Sequence, residues 1–92
     1  MNLKEKIQPF LMEAVGVFVD TGKFERSHQK KPSGTGNWLF QIGQDEKNQF
    51  SAKNEHGSTS LKYADALKLA KAEAKKQAEE KKIKTIYVYP LP

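Results

Sequence analysis

A run of helix-forming residues over positions 61–82 is the strongest pattern in the chain. It contains no glycine or proline and is dense in alanine, leucine, lysine, glutamate and glutamine, which lose little conformational freedom in a helix. At about 100° per residue, its small and apolar side chains share one face, which we expect to lie close against a sheet. We expect Leu61 and Leu69 to point elsewhere. The predicted buried face consists of Tyr63, Ala64, Leu67, Ala70, Ala74 and Ala78.

Other segments show the alternation or the β-branched content that is typical of strands. Residues 15–19 read Val-Gly-Val-Phe-Val and are followed by the turn residues Asp20-Thr21-Gly22. Residues 37–43 and 49–52 flank a polar stretch and predict a hairpin. Residues 83–89 predict a last strand with two distinct faces. Ile86 and Val88 form one face, and Thr85, Tyr87 and Tyr89 form the other.

Two further segments are less regular. Apolar positions at helical spacing, together with Asn2 as an N-cap, predict a short helix over residues 3–14 that is kinked or restarted at Pro9. Residues 23–36 contain glycine, proline and several cations but only one apolar side chain, Phe24. Because so little apolar surface is available to offset the entropy of ordering, this segment predicts a flexible basic loop.

The predicted order of elements is αβββαβ, which places the chain in the α+β class. We expect a mostly antiparallel sheet of about four strands, with the long helix packed on one face and the short N-terminal helix at an end or an edge. Ninety-two residues accommodate one hydrophobic core, so residues 1–92 are predicted to form a single domain. Five Phe, three Tyr and one Trp are enough to seed that core.

Composition narrows the chemistry. The absence of cysteine excludes disulfides, thiolate metal sites and a cysteine nucleophile. Sixteen Lys and Arg against eleven Asp and Glu give a formal net charge of +5, which favours polyanionic partners. The first residues carry charges and Pro9 where a signal peptide needs an unbroken apolar run, and no apolar stretch is long enough to cross a bilayer. We therefore expect a cytoplasmic protein without a membrane partner.

Few residues fit a catalytic or metal-binding pattern. His28 and His56 have no partner at the spacing of metal ligands, so no metal and no cofactor are expected. The segment Val17-Phe18-Val19-Asp20-Thr21-Gly22 resembles the signature of retroviral-type aspartic proteases, in whose dimers two such aspartates share one proton. That resemblance implies a catalytic Asp20, and the alternative is a strand that ends in an Asx turn. The sequence lacks the later apolar-Gly-Arg segment of those proteases, and we predict that the protein is not an enzyme.

Cationic side chains are gathered in two places. On the long helix they project within about 60° of one another beside the alanine face, while the carboxylates lie mostly on the opposite side. Lysines spaced in this way can follow a phosphate backbone without reading bases; the alternative is that they only solubilise the helix. The helix group is Lys68, Lys71, Lys75 and Lys82, and the loop group is Lys23, Arg26, Lys30 and Lys31.

The tyrosines of the last strand are a further candidate surface. If the long helix covers the side of Ile86 and Val88, Tyr87 and Tyr89 form an open stacking surface for nucleic acid. The alternative is that the first helix buries them. Since Arg26 is the only arginine, guanine-specific contacts are not expected, and any nucleic-acid binding should be weakly selective.

These patterns together predict a small non-enzymatic binding protein that uses lysine-rich surfaces to engage nucleic acid or a nucleoprotein complex. A more specific form of this hypothesis is that the protein is an accessory or inhibitor from a phage or mobile element, of the anti-CRISPR type. Such a protein could also dock on an acidic protein surface. The alternative is a protein-protein interaction module or a homodimer. That module would use residues 83–89 as an edge strand, or Leu61 and Leu69 as an apolar contact. The sequence leaves the oligomeric state open.

Overall fold

Six strands and two helices are formed by residues 15–92, the part of the chain that the computed structural model describes. Their order is β1 (Gly16–Val19), α1 (Gly22–His28), β2 (Thr35–Asn37), β3 (Leu39–Ile42), β4 (Gln49–Ser51), β5 (Ser60–Lys62), α2 (Tyr63–Lys81) and β6 (Thr85–Pro90). The α+β class is confirmed, with α2 as the long helix. The helix predicted over residues 3–14 lies outside the described residues.

Four of the strands form one mixed sheet in the order β1-β6-β3-β4. β3 and β4 form the predicted hairpin, and β6 runs antiparallel to β3 but parallel to β1. A parallel pair needs a long crossover, and the chain from α1 to α2 supplies it. β2 and β5 form a separate antiparallel pair. The expected sheet of about four strands is therefore confirmed, with one parallel pair in it.

α2 packs on one face of the four-stranded sheet through a stripe of alanines. Because these alanines follow one another at intervals of four, they stay on one side of the helix. Their small side chains let the helix approach the strands closely, where it covers the fully buried Phe40, Ile42 and Val88. The stripe consists of Ala66, Ala70, Ala74 and Ala78, all fully buried.

Two expectations about the apolar residues near α2 are wrong. Ala64 is exposed, and Ala66 is buried in its place, because the stripe repeats every four residues and therefore passes through Ala66. Leu61 does not point away from the core. It belongs to β5 and is only 8% exposed, so it is not an exposed apolar contact. Leu69 is exposed as predicted.

Two further expectations concern chain segments and are also corrected. Residues 23–36 are not a loop throughout, since they contain most of α1 and the start of β2. α1 forms because Phe24 is buried against Trp38, with ring centroids 5.5 Å apart. Residues 83–89 do not supply an edge strand, because β6 lies between β1 and β3. The edges of the sheet are β1 and β4.

Candidate functional site

The face of the four-stranded sheet opposite α2 carries a row of three aromatic rings, which we call the aromatic ladder: Phe18, Tyr87 and Tyr89. Phe18 and Tyr87 are partners in the register of β1 and β6, and their ring centroids lie 5.6 Å apart. The centroids of Tyr87 and Tyr89 lie 6.2 Å apart. Phe18 is 51% exposed and Tyr87 is 40% exposed. The ladder is thus a continuous aromatic surface on which Phe18 and Tyr87 are open to solvent and Tyr89 is half-buried.

The alternation of side chains along β1 and β6 places the rings on this face. Successive residues of a strand point to opposite sides of the sheet. Val17 on β1 therefore shares the α2 side with Ile86, its register partner on β6. Phe18 and Tyr87 come next along their strands and project to the opposite side. The prediction that the tyrosines share a face away from Ile86 and Val88 is confirmed.

A cation is fixed at one end of the aromatic ladder. The Nζ of Lys23, in the first turn of α1, lies 5.4 Å from the centroid of the Tyr89 ring and donates a hydrogen bond of 3.0 Å to Oε1 of Gln41. Gln41 is buried, and its Nε2 donates to the backbone oxygen of Gly43 at 2.7 Å. Nε2 of Gln44 donates to the Tyr89 hydroxyl at 2.9 Å. An ammonium has three donors, so Gln41 anchors Lys23 and leaves donors for a ligand.

The other candidate surface is a strip of exposed lysines along α2, which we call the α2 lysine flank: Lys68, Lys71 and Lys75. The opposite flank of the helix carries Gln77, whose Oε1 accepts a hydrogen bond of 2.6 Å from Nδ2 of Asn48 in the β3–β4 turn. That side of α2 therefore faces β4. By helical geometry, the α2 lysine flank lies on the β1 side.

Carboxylates are partly separated from the α2 lysine flank. Glu73 lies on the β4 side, where its Oε2 accepts a hydrogen bond of 2.9 Å from Gln77. Glu79 follows Lys75 by one turn, so the end of the flank is mixed in charge. Among residues 15–92, the one contact within 4.0 Å between a basic nitrogen and a carboxylate oxygen joins His56 Nε2 to Glu55 Oε1 at 3.8 Å. No described lysine is neutralised by a described carboxylate at that distance.

The structure does not bring all of the predicted cations together. Lys82 is the C-cap of α2 and has a left-handed φ of 58°, so its backbone leaves the line of the helix. Arg26 lies on α1, and Lys30 and Lys31 follow that helix; all three are exposed. Of the cations predicted in the loop, Lys23 is the one with a described contact to the aromatic ladder. The ladder and the α2 lysine flank lie on opposite sides of the sheet.

Asp20 has a local structural role. It is exposed, and its Oδ1 accepts a hydrogen bond of 2.8 Å from the N–H of Gly22. This is the geometry of an Asx turn, the alternative interpretation of the Asp-Thr-Gly segment. The hydroxyl of Thr21 donates to the carboxylate of Glu25. Both bonds connect the end of β1 to the start of α1.

Phe18 and Gln41 are members of the site that the sequence analysis does not predict. The sequence does indicate the face on which each lies. Each is flanked on both sides by aliphatic or aromatic residues, so strand alternation places it on the face opposite to theirs. Their place beside Tyr87 and Tyr89 depends on the order of strands in the sheet, which no local pattern contains. The alternation alone could have identified their faces but not their neighbours.

Other classes of site find little support in residues 15–92. No group of three or more His, Asp or Glu side chains there could hold a metal ion. No helix in this part of the chain combines the length and the apolar character needed to span a membrane. No family model matches the chain, and no curated protein or solved structure is significantly similar to it. The aromatic ladder and the α2 lysine flank are therefore the basis for inferring function.

Proposed function

We propose that the protein binds nucleic acid with weak sequence selectivity, and that exposed lysines supply most of the affinity. The observation that carries this proposal is the α2 lysine flank. It presents three ammonium groups on one side of a rigid helix, and no carboxylate within residues 15–92 lies within 4.0 Å of them. Lysines that neutralise phosphates release condensed counterions, and this release drives association with nucleic acid.

The length of the α2 lysine flank suits a phosphate backbone. Lys68 and Lys75 are seven residues apart in sequence, which corresponds to about 10 Å along a helix axis. Three phosphate-to-phosphate steps of one DNA strand, which join four successive phosphates, advance by about the same distance along the duplex. Lysine ammonium groups act as point charges and lack the rigid planar fork with which arginine matches the edge of a base. The expected contacts are therefore with phosphates, and the expected selectivity is weak.

Charge reversal tests this proposal. In the variant Lys68→Glu/Lys71→Glu/Lys75→Glu, we expect the affinity for a labelled DNA duplex, measured by fluorescence anisotropy at low salt, to fall by at least about tenfold. The matched control is Lys47→Glu/Lys53→Glu/Lys76→Glu, which changes the net charge equally at three exposed lysines outside the flank; Lys76 is on α2, about 100° around the helix from Lys75. Equal losses in the two variants would show that net charge, and not the flank, determines binding. Affinity that is independent of salt would overturn the proposal.

Protein binding is a second candidate function. Leu69 is 37% exposed and Ile83 is 41% exposed, and within residues 15–92 the strands β1 and β4 are the edges of the four-stranded sheet. An apolar interface persists at salt concentrations that dissociate phosphate contacts. The accessory or inhibitory role of the anti-CRISPR type stays a prediction. For that role to hold, the protein must capture a nucleoprotein complex from a lysate, and the complex must stay bound after nuclease treatment. The flank variant must fail to capture it.

The absence of enzymatic activity also stays a prediction. Peptidase activity that Asp20→Asn removes would contradict it, because that substitution keeps the size of the side chain but removes the ionisable group.

A further inference from the structure

We infer that the aromatic ladder is a stacking platform for single-stranded nucleic acid, with Lys23 placed to contact one of its phosphates. This inference rests on the proposed function and deepens it, because it names the form of nucleic acid and a second surface. The ladder lies on the side of the sheet opposite α2. A single strand bound there would not touch the α2 lysine flank on the other side.

The rings of the aromatic ladder are contiguous. A scattered apolar residue on a protein surface is ordinary, whereas a contiguous apolar patch marks an interaction site. Phe18, Tyr87 and Tyr89 form an unbroken row with centroid separations of 5.6 and 6.2 Å. Phe18, the most exposed of the large apolar residues described, stands at one end of it. The ladder therefore has the form of a binding surface.

The spacing of the rings determines how a base can stack on them. The distance between two ring centroids is an upper limit on the separation of parallel ring planes. A base inserted between two rings needs two contacts of about 3.5 Å, or about 7 Å in total. Both separations in the ladder are shorter than this. Bases must therefore stack on the outward surfaces of the rings, a mode that tolerates any base because each has a π-face.

The charge at the end of the ladder favours an anionic ligand. Lys23 holds its ammonium over Tyr89 while it is bonded to the buried Gln41. An apolar protein partner would desolvate this ammonium without a counter-charge, which is unfavourable. A polyanion supplies the counter-charge, and unpaired bases supply the faces that stack on the rings. In a duplex the bases are already paired and stacked within the helix, so the single-stranded form fits the ladder better.

Three probes separate base stacking from phosphate contacts. They are an oligothymidylate of about twelve nucleotides, an abasic strand of the same length, and a duplex of the same length. The abasic strand keeps the phosphates and lacks the bases. For the full chain we expect anisotropy to show that oligothymidylate binds at least about fivefold more tightly than the abasic strand. Equal affinity for these two strands would overturn the inference.

The matching variant is Phe18→Val/Tyr87→Val, which replaces the rings with a residue that also favours strands. We expect it to bind oligothymidylate roughly 5- to 100-fold more weakly and to bind the abasic strand and the duplex as before. Emission from Trp38, the single tryptophan and a buried one, reports whether the fold is kept. Leu69→Ala removes exposed apolar surface on α2 and serves as the control that should change nothing. An equal loss for all three probes would overturn the inference.

The outcomes distinguish this inference from the proposed function. If the abasic strand and the duplex bind with steep salt dependence and oligothymidylate binds no better, the lysines bind phosphates and the ladder is not a platform. A ladder covered by a second copy of the chain or by residues 1–14 would give the same result. If none of the three probes binds at low salt, the proposed function fails and the inference fails with it.

Discussion

The aromatic ladder and the α2 lysine flank differ in how their side chains are held. At the ladder, the ammonium of Lys23 is bonded to a buried glutamine and lies over a ring. On the flank, Lys71 is exposed on the surface of α2, and no described side chain is bonded to its ammonium. The first arrangement is preorganised, and the second adapts to its ligand at the cost of side-chain entropy.

Because of this difference, we expect the two surfaces to have different roles in binding. Flexible lysines supply attraction at a distance and tolerate many positions of a phosphate. Fixed rings and a tethered ammonium supply contacts that depend on the shape of the ligand. A protein that holds both can bind polyanions generally through one surface and prefer unpaired bases through the other. If this division holds, a substitution at one surface should leave the other surface's binding unchanged.

The largest expected effect concerns the alanine stripe that separates the two surfaces. Ala74 is fully buried, so Ala74→Glu places a charge against the sheet, and we expect it to lower the free energy of unfolding by about 3 kcal/mol or more. Ala72→Glu introduces the same residue on the exposed side of α2 and should leave stability nearly unchanged. Urea denaturation measures both. Equal midpoints would show that α2 does not pack through this stripe.

The helices show why local sequence patterns predict only part of this fold. α2 was predictable because its helix formers and its periodic alanines are neighbours in sequence. α1 was not, because Phe24 is its only large apolar residue. Its helix depends on the contact between Phe24 and Trp38 and on the Asx turn of Asp20. Tertiary packing outweighed weak local propensity there.

The candidate site, too, was predictable from local sequence patterns only in part. The α2 lysine flank follows from helical periodicity and was predictable, except at Lys82, where the left-handed cap ends the helix. The faces of Tyr87 and Tyr89 follow from strand alternation. The partnership of Phe18 with Tyr87 does not, because β1 and β6 lie at opposite ends of the described chain and no local pattern specifies their pairing. Long-range pairing created the part of the site that sequence analysis missed.

The two surfaces should also differ in how they contribute to the salt dependence of binding. In a plot of log affinity against log salt concentration, reversal of the three α2 flank lysines should reduce the slope for a duplex by about 2.7, or about 0.9 for each phosphate contact. Lys23→Gln should reduce the slope for a single strand by about 0.7. Anisotropy titrations between about 50 and 200 mM salt measure both slopes. If either variant changed both slopes equally, the two surfaces would form one continuous site.

A smaller effect is expected from the tether between Lys23 and Gln41. Gln41→Leu removes the acceptor of the Lys23 ammonium and should weaken single-strand binding nearly as much as Lys23→Gln does. The double variant should be little weaker than either, because both substitutions remove the same interaction. Gln41→Leu also loses its bond to Gly43, at about 1 kcal/mol of stability, which urea denaturation checks. Additive losses in binding would contradict a shared role.

The smallest effect concerns Tyr63, the one tyrosine outside the ladder, which packs against Trp38 with ring centroids 4.8 Å apart. Burial raises the pKa of its phenol above 10.0, because desolvation disfavours the phenolate. Because the pKa is higher in the folded than in the unfolded state, the stability that the neutral phenol contributes is fully present below about pH 10. It is lost as the pH rises through the pKa of the folded state. Tyr63→Phe cannot ionise, so its urea midpoint should fall less between about pH 9 and pH 11 than that of the native chain. Lysine deprotonation is common to both proteins and cancels in the comparison. An equal fall of the two urea midpoints would show that the Tyr63 phenol is in water and not in the core that supports the ladder.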